Sequence, residues 1–285
     1  MEAREQQWDV VIAPDRPWWK LDLREIWAYR DLLVLLVRRD LLAIYKQTIL
    51  GPAWQVVQPL LTSIMFAVIF GILARMAPAG YPPLLFYLSG IVPWFYFANV
   101  INRTSQTLIM NSALMTKVYF PRLIAPLATT ISTGVSFVVQ LASFFVFALG
   151  FRLSGSYDWT PSPDLWMLPL LTLIIMFLAF GIGLVVSALT TRFRDLSFMI
   201  GFVVQLGMYA SPVIFPLSLS EPDSKIRFFL ELNPMTPVIE GFRAALIGTY
   251  MDPATLYYSV TVALVMTMLG LAMFKRVERS FADVI

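Results

Sequence analysis

With 285 residues, 58% of them hydrophobic and 14% charged, the chain lies far from a soluble domain, of which about a quarter is charged, and reads as an integral membrane protein. It has no cysteine and no histidine, which excludes disulfides, thiolate chemistry, Ser-His-Asp and Cys-His arrangements and His-based zinc sites. The net charge of +3 is too small to suggest a nucleic-acid partner, so the distribution of charge matters more than its sum.

In chain order, residues 1–23 mix both charge signs with prolines and Trp8, Trp18 and Trp19. They read as a cytoplasmic or interfacial lead-in, without the leading apolar segment of a signal peptide. Over 24–50 the pattern turns helical. At 100° per residue, Arg24, Glu25, Asp31, Arg38, Arg39 and Lys46 share one broad face, while Ile26, Trp27, Leu33, Leu36, Val37 and Ile44 lie elsewhere. Two placements fit this pattern: a helix half sunk in the headgroup region, or a solvent-facing stripe on a cytoplasmic bundle. Gly51-Pro52 then leads into the first long apolar run.

Residues 51–285 hold six charge-free runs with cores near 55–74, 84–101, 126–149, 166–189, 197–216 and 255–274. Each is long enough to cross about 30 Å of hydrocarbon. Prolines 59, 93, 169 and 212 fall within or at the ends of these spans and predict kinks. The second span carries Trp94, Phe95, Tyr96 and Phe97, which suit either an interfacial belt or contact with a substrate. Residues 1–54 hold eight Lys and Arg, 101–125 three, 190–196 two and the short tail three, against five in the alternate loops. The positive-inside rule therefore predicts six spans with both termini cytoplasmic. Between spans five and six, 217–254 reads as structured. Val238, Ile239, Phe242, Ala245 and Leu246 recur at helical spacing around Glu240 and Arg243. That pattern fits helices re-entering from the outer surface, or a surface loop with one interfacial helix.

The six cores contain no Asp, Glu, Lys or Arg. Ion-coupled carriers depend on intramembrane ionisable groups, so a secondary carrier is disfavoured, and the charged helix before span one is unlike a simple passive channel. An enzyme of glycan assembly would need an acid/base pair facing a cavity. No P-loop motif occurs, so energy for active transport has to come from another subunit. Gly181 and Gly183 favour close helix packing, and Gln140 and Gln205 suit burial against a neighbouring helix or contact with a substrate.

Taken together, RRDLLAIYKQTILGPAWQVVQPL at 38–60, PWFYFAN at 93–99, NSALMTKVYFPRLIAP at 111–126, TTRFRDL at 190–196 and LNPMTPVIEGFR at 232–243 resemble the membrane permease of ABC exporters for cell-surface polysaccharides. The resemblance covers nearly the whole chain from about residue 24. It implies an all-α membrane fold with an N-terminal amphipathic interface helix, six transmembrane helices and re-entrant helices between spans five and six. It also implies a homodimer in the bacterial inner membrane, served by two separate ATP-binding subunits that hold the ATP and magnesium; this chain itself carries no cofactor, metal or catalytic residue. The implied cargo is an undecaprenyl-linked glycan, most like O-antigen, with capsular polysaccharide or teichoic acid as the related alternatives.

On that resemblance, coupling to the ATPase falls to Arg38, Arg39, Tyr45 and Lys46 before span one and to Lys117 and Arg122 in the loop after span two. Aromatic rings can stack on the C–H faces of sugars, which makes Phe66, Phe70, Trp94, Tyr96 and Tyr209 the candidate channel lining. Glu240 and Arg243 fall at the periplasmic mouth.

Overall fold

The structure, a computed structural model, describes residues 23–46, 51–111, 114, 119–191, 193, 195–217 and 224–280. The lead-in through residue 22, and Arg192 and Arg194, lie outside the described residues. Every regular element among the described residues is helical. Where periodicity predicts one helix over Arg24–Lys46, the chain bends at Tyr29 into α1 (Leu23–Ala28) and α2 (Arg30–Tyr45). The two pieces serve different pockets. Ile26 of α1 packs with Leu108, Leu123, Phe180 and Phe274, whereas Leu36 of α2 packs with Phe120, Ile124 and Ala128.

Gly51 takes φ +50°, a left-handed conformation that a side chain would strain. It opens the short turn Gly51–Ala53 that redirects the chain into α3 (Trp54–Phe66). The helix continues through a π-helical stretch, Ala67–Leu73, to complete a 23-residue span. Next come α4 (Pro83–Ser105), the single turn α5 (Thr107–Met110), α6 (Ile124–Leu153) and α7 (Leu168–Thr190), which is preceded by a 3-10 turn at Pro163–Met167. The chain then forms α8 (Leu196–Tyr209), α9 (Lys225–Leu232), α10 (Met235–Ile247) and α11 (Leu256–Ser280). Five of these segments are long and apolar enough to cross a membrane: Gly51–Leu73, Pro83–Ser105, Ile124–Leu153, Pro163–Thr190 and Pro253–Glu278.

The fifth predicted span, 197–216, is shorter than its apolar run. Its helix α8 has 14 residues, about 21 Å at 1.5 Å per residue against roughly 30 Å of hydrocarbon. Ser211-Pro212 ends it, because a residue before proline is driven away from helical geometry. The freed backbone is met by Asn233, whose Nδ2 donates to the Ala210 carbonyl at 3.2 Å and to Ser211 Oγ at 2.8 Å. The same side chain accepts from the Met235 N–H at 3.0 Å, so one asparagine caps the end of α8 and the start of α10.

The core is organised on α4, whose middle is buried on all sides and which packs against α3, α6, α7, α8 and α10. α7 and α11 meet backbone to backbone. A Cβ on Gly181 would lie 2.5 Å from the Met266 carbonyl carbon and the Thr267 nitrogen, and one on Gly270 would collide with the Gly181 oxygen. Thr267 Oγ1 donates across the contact to the Phe177 carbonyl at 2.8 Å. Gly181→Leu must therefore push the helices apart, costing about 1–3 kcal/mol or more of packing. Thermal denaturation in detergent should show a midpoint lowered by several degrees, whereas Gly150→Leu, with nothing within 4 Å of the added carbon, should not move it.

Candidate functional site

Two polar constellations stand out at opposite ends of the bundle. The first surrounds the loop that leaves α4 and α5 and enters α6. Arg39 of α2 reaches across to this loop: its Nη1 and Nη2 both donate to Asn111 Oδ1 at 3.2 Å. Asn111 is itself pinned by Nδ2 donating to the Thr107 carbonyl at 2.9 Å. Arg39 also pairs with Asp40 at 2.9 Å, and Asp40 faces Arg103 at the end of α4 at 3.9 Å. Arg103 Nη1 donates in turn to Thr133 of α6 at 3.3 Å. The Asp40 side chain keeps only 12% of its surface exposed, so a nearly buried carboxylate ties α2, α4 and, through Arg103, α6 together. A carboxylate in that setting depends on its arginines far more than an exposed one does.

The far end of the loop is held from the other side. The Arg122 backbone N–H donates to Glu278 Oε1 at 3.1 Å, and its Nη1 donates to the Glu278 carbonyl at 2.6 Å, joining the start of α6 to the last turns of α11. Between these anchors Phe120 is buried in the pocket beneath Leu36, and Tyr119 OH donates to Glu25 of α1 at 3.4 Å. Partial burial, with the Glu25 carboxylate beside it, raises the Tyr119 phenol above its ordinary value, so it remains a neutral donor. The loop is thus gripped at Asn111 by the N-terminal helix and at Arg122 by the C-terminal one.

This geometry distinguishes residues that the sequence reading grouped together. Arg38 is exposed on the outer face of α2, alongside Val34, Leu35 and Leu42, whereas Arg39, one residue on, turns to the loop. Lys46 is exposed just beyond α2. The Tyr45 side chain and Lys117 lie outside the described residues. Asp40, Arg103 and Asn111 were not singled out in the sequence. An acid between basic residues on a helix face looks like ordinary solvated charge, and its partner Arg103 is remote in the chain.

The second constellation centres on Arg243 of α10, which has no exposed surface. Its Nη1 donates to Glu240 Oε1 at 3.0 Å, its Nη2 donates to the Val213 carbonyl at 2.8 Å, and its guanidinium lies 4.1 Å over the Phe86 ring of α4. Glu240 Oε1 also accepts from the Leu217 N–H at 3.1 Å. The pair therefore fastens the irregular stretch after α8 to α10 and α4. The sequence placed Glu240 and Arg243 at an outer mouth; the guanidinium is inside the protein, where a cation needs partners on every side.

Most of the aromatic candidates also sit inside the chain's own fold. Phe66 is buried between Phe70 and Tyr87, at 5.3 and 6.1 Å between centroids. Trp94 is buried against Phe97 and over Gly207 of α8. Tyr96 stacks on Phe137 at 4.7 Å, and Phe70 is partly buried. Tyr209 alone of the five is exposed. It shares a face of α8 with the exposed Phe198, Phe202 and Gln205, at spacings of four, three and four residues. A second exposed stripe, Met199, Val203 and Leu206, lies about a quarter turn away and is wholly apolar. Gln140, by contrast, is buried in α6 with its Oε1 unpaired. No group of three or more acidic side chains able to hold a metal occurs among the described residues.

Comparison with known proteins adds a family match. The model of the ABC-2 type transporter family matches residues 31–247. An O-antigen export system permease protein RfbA of Klebsiella pneumoniae is 25% identical over 255 residues, covering 90% of this chain and 95% of the relative. Its namesake in Myxococcus xanthus is 26% identical, covering 92% and 98%. The polysialic acid transport protein KpsM of Escherichia coli is 26% identical, covering 81% and 87%.

Proposed function

We propose, from the premise that the chain belongs to the ABC-2 type transporter family, that it is the channel-forming permease subunit of an ATP-driven exporter of lipid-linked polysaccharide. Two copies form the channel in the bacterial inner membrane, and two separate ATP-binding subunits dock beneath them. The α2 end faces the cytoplasm, with both termini, as the Lys and Arg distribution supports. On this reading α8, the fifth in chain order, brings the membrane segments to six. It crosses most of the bilayer, and the buried turn after it and α10 complete the return as a re-entrant pair, irregular backbone being tolerated at depth when buried in protein.

The observation that carries this reading is the loop held at both ends. A loop joined to α2 through Arg39 and Asn111 and to α11 through Arg122 and Glu278 cannot be displaced without moving the helices at both ends of the chain. ATP-driven closure of the partner subunits pushes on this loop, and the push reaches α4 and α6 through Asp40, Arg103 and Thr133. Exposed Arg38 and Lys46 face outward, toward the partner or anionic headgroups. The glycan moves along the α8 stripe. The exposed Gln205 amide supports that placement, because facing hydrocarbon would leave it without hydrogen bonds.

O-antigen is the favoured cargo: the O-antigen permeases align over more of this chain than the polysialic acid protein does. Capsular polysaccharide is the second reading, supported by that protein at similar identity. Affinity purification of the chain from its native membrane tests the scheme. A stoichiometric ATP-binding subunit should travel with it, and its consistent absence would overturn ATP-driven export.

A further inference from the structure

Burying an arginine without exposure is expensive, and an apolar residue of similar volume often serves stability as well or better. Arg243 is among the bulkiest fully buried side chains of the described residues, so its presence calls for a reason beyond filling space. Its contacts identify what it holds. One nitrogen is on Val213 and another on Glu240, which itself takes the Leu217 N–H. Both backbone contacts fall in the stretch that follows the break of α8. The face of the guanidinium lies on Phe86, and a Cβ on Gly90 would come within 3.2 Å of Nη2 and 3.6 Å of Val213 Cα, so the seat on α4 is cut to fit.

The seat is also incompletely satisfied. Arg243 Nε and the neighbouring Tyr87 hydroxyl are both buried with no hydrogen-bond partner. A purely structural buried cation is expected to have all its donors engaged. A spare donor on the arginine and a spare hydroxyl beside it leave room for a second set of contacts when the segment shifts.

We propose that Arg243 and Glu240 are positioning residues that latch the outer end of α8 against α4 and keep the pathway shut until the push from the ATPase end releases it. The latch rests on the reading that α8 faces the pathway. Its force is directional: the pair holds the 213–217 stretch inward, while α8 is fastened along one edge only, at Ile200, Val204, Met208 and the Gly207–Trp94 contact, and is exposed along the other at Phe198, Phe202, Gln205 and Tyr209.

The test is a leak. The complex, purified with its ATPase and kept free of nucleotide, is placed in liposomes loaded with carboxyfluorescein at a self-quenching concentration. Glu240→Gln removes the charge but keeps an oxygen acceptor. Arg243→Lys keeps the charge but cannot span Glu240 and Val213 from one position over Phe86. Gly90→Ala presses on Nη2 without altering any charge. Each should release dye about tenfold faster than the wild type, as expected when a minor open state gains population. Gel filtration and far-UV circular dichroism should match the wild type. If folded variants are as tight as the wild type, the latch is wrong; should the charge variants not fold, Gly90→Ala decides alone. Glycan export by the wild-type complex is measured in parallel. Export with tight variants rejects the latch and leaves the transport function standing, whereas wild-type export failure rejects the transport function whatever the dye does.

Discussion

Asp40→Ala will leave the permease assembled with its ATPase and hydrolysing ATP at near the wild-type rate, yet export per ATP will fall about tenfold or more, within the usual range of coupling energies. The reason is that the carboxylate sits between Arg39 and Arg103 with only 12% of its side chain exposed, so its contacts join α2 to α4. Its loss leaves two facing arginines, so α2 and the end of α4 repel each other instead of moving as one. The energy at stake lies between the roughly 0–1 kcal/mol of an exposed pair and the roughly 3–5 kcal/mol lost on breaking a fully buried one. That is enough to decouple the segments without unfolding them. The exchange Asp40→Arg with Arg103→Asp restores opposite charges across the same gap and should recover part of the export. Arg38→Glu, on the outer face, should act differently and weaken association with the ATPase. Measuring export, hydrolysis and co-purification on the same preparations separates the three results; equal loss of hydrolysis and export in Asp40→Ala would remove the residue from the coupling path.

The second large effect is expected on α8. Replacing Phe202 and Tyr209 together by alanine should cut export about tenfold or more, since each exposed ring offers a large apolar face to the C–H faces of a sugar and a moving polymer meets both. Gln205→Leu should lower export by removing the one amide on that stripe. The same pair of alanines at Met199 and Leu206, a quarter turn away on the apolar stripe, should leave export within about twofold, because those side chains replace one apolar contact with another. Initial export rates at matched membrane levels of protein provide the comparison. If the Met199/Leu206 pair proves the more damaging, the two faces of α8 have been assigned the wrong way round.

How far the sequence reaches depends on what contrasts with what. Five membrane segments were legible because a charge-free run between charged loops needs no periodicity to be seen. The shortened α8 was less so: Ser211-Pro212 was visible, but whether a proline kinks a span or ends it depends on a capping group, here Asn233, more than twenty residues downstream. The inner and outer faces of the spans were not readable, because an all-apolar helix shows no polar stripe by which to orient it. That is why Phe66, Trp94 and Tyr96, plausible as channel rings by composition, belong to the interior around α4, and why exposed Phe198 and Phe202 drew no notice. Arg39 and Arg122 drew attention as basic residues near the interface helix and the loop; Arg39 reaches Asn111 in the loop, and Arg122, within the loop, reaches Glu278 of α11. Their acceptors, Asn111 and Glu278, are long-range and carry no local signal. Glu240 and Arg243 drew attention by their place in the helical pattern and by the resemblance; nothing local marks an arginine as fully buried.

The most direct measurement of the whole account uses liposomes holding the permease with its ATPase and a lipid-linked polysaccharide in the membrane. A glycosidase that cannot cross the bilayer is placed on the side opposite the ATPase. The account predicts that the glycan is protected until ATP is added, becomes digestible at a rate that follows hydrolysis, and stays protected with a non-hydrolysable nucleotide. Digestion that proceeds equally without ATP, or glycan that stays protected while ATP is consumed, would contradict it.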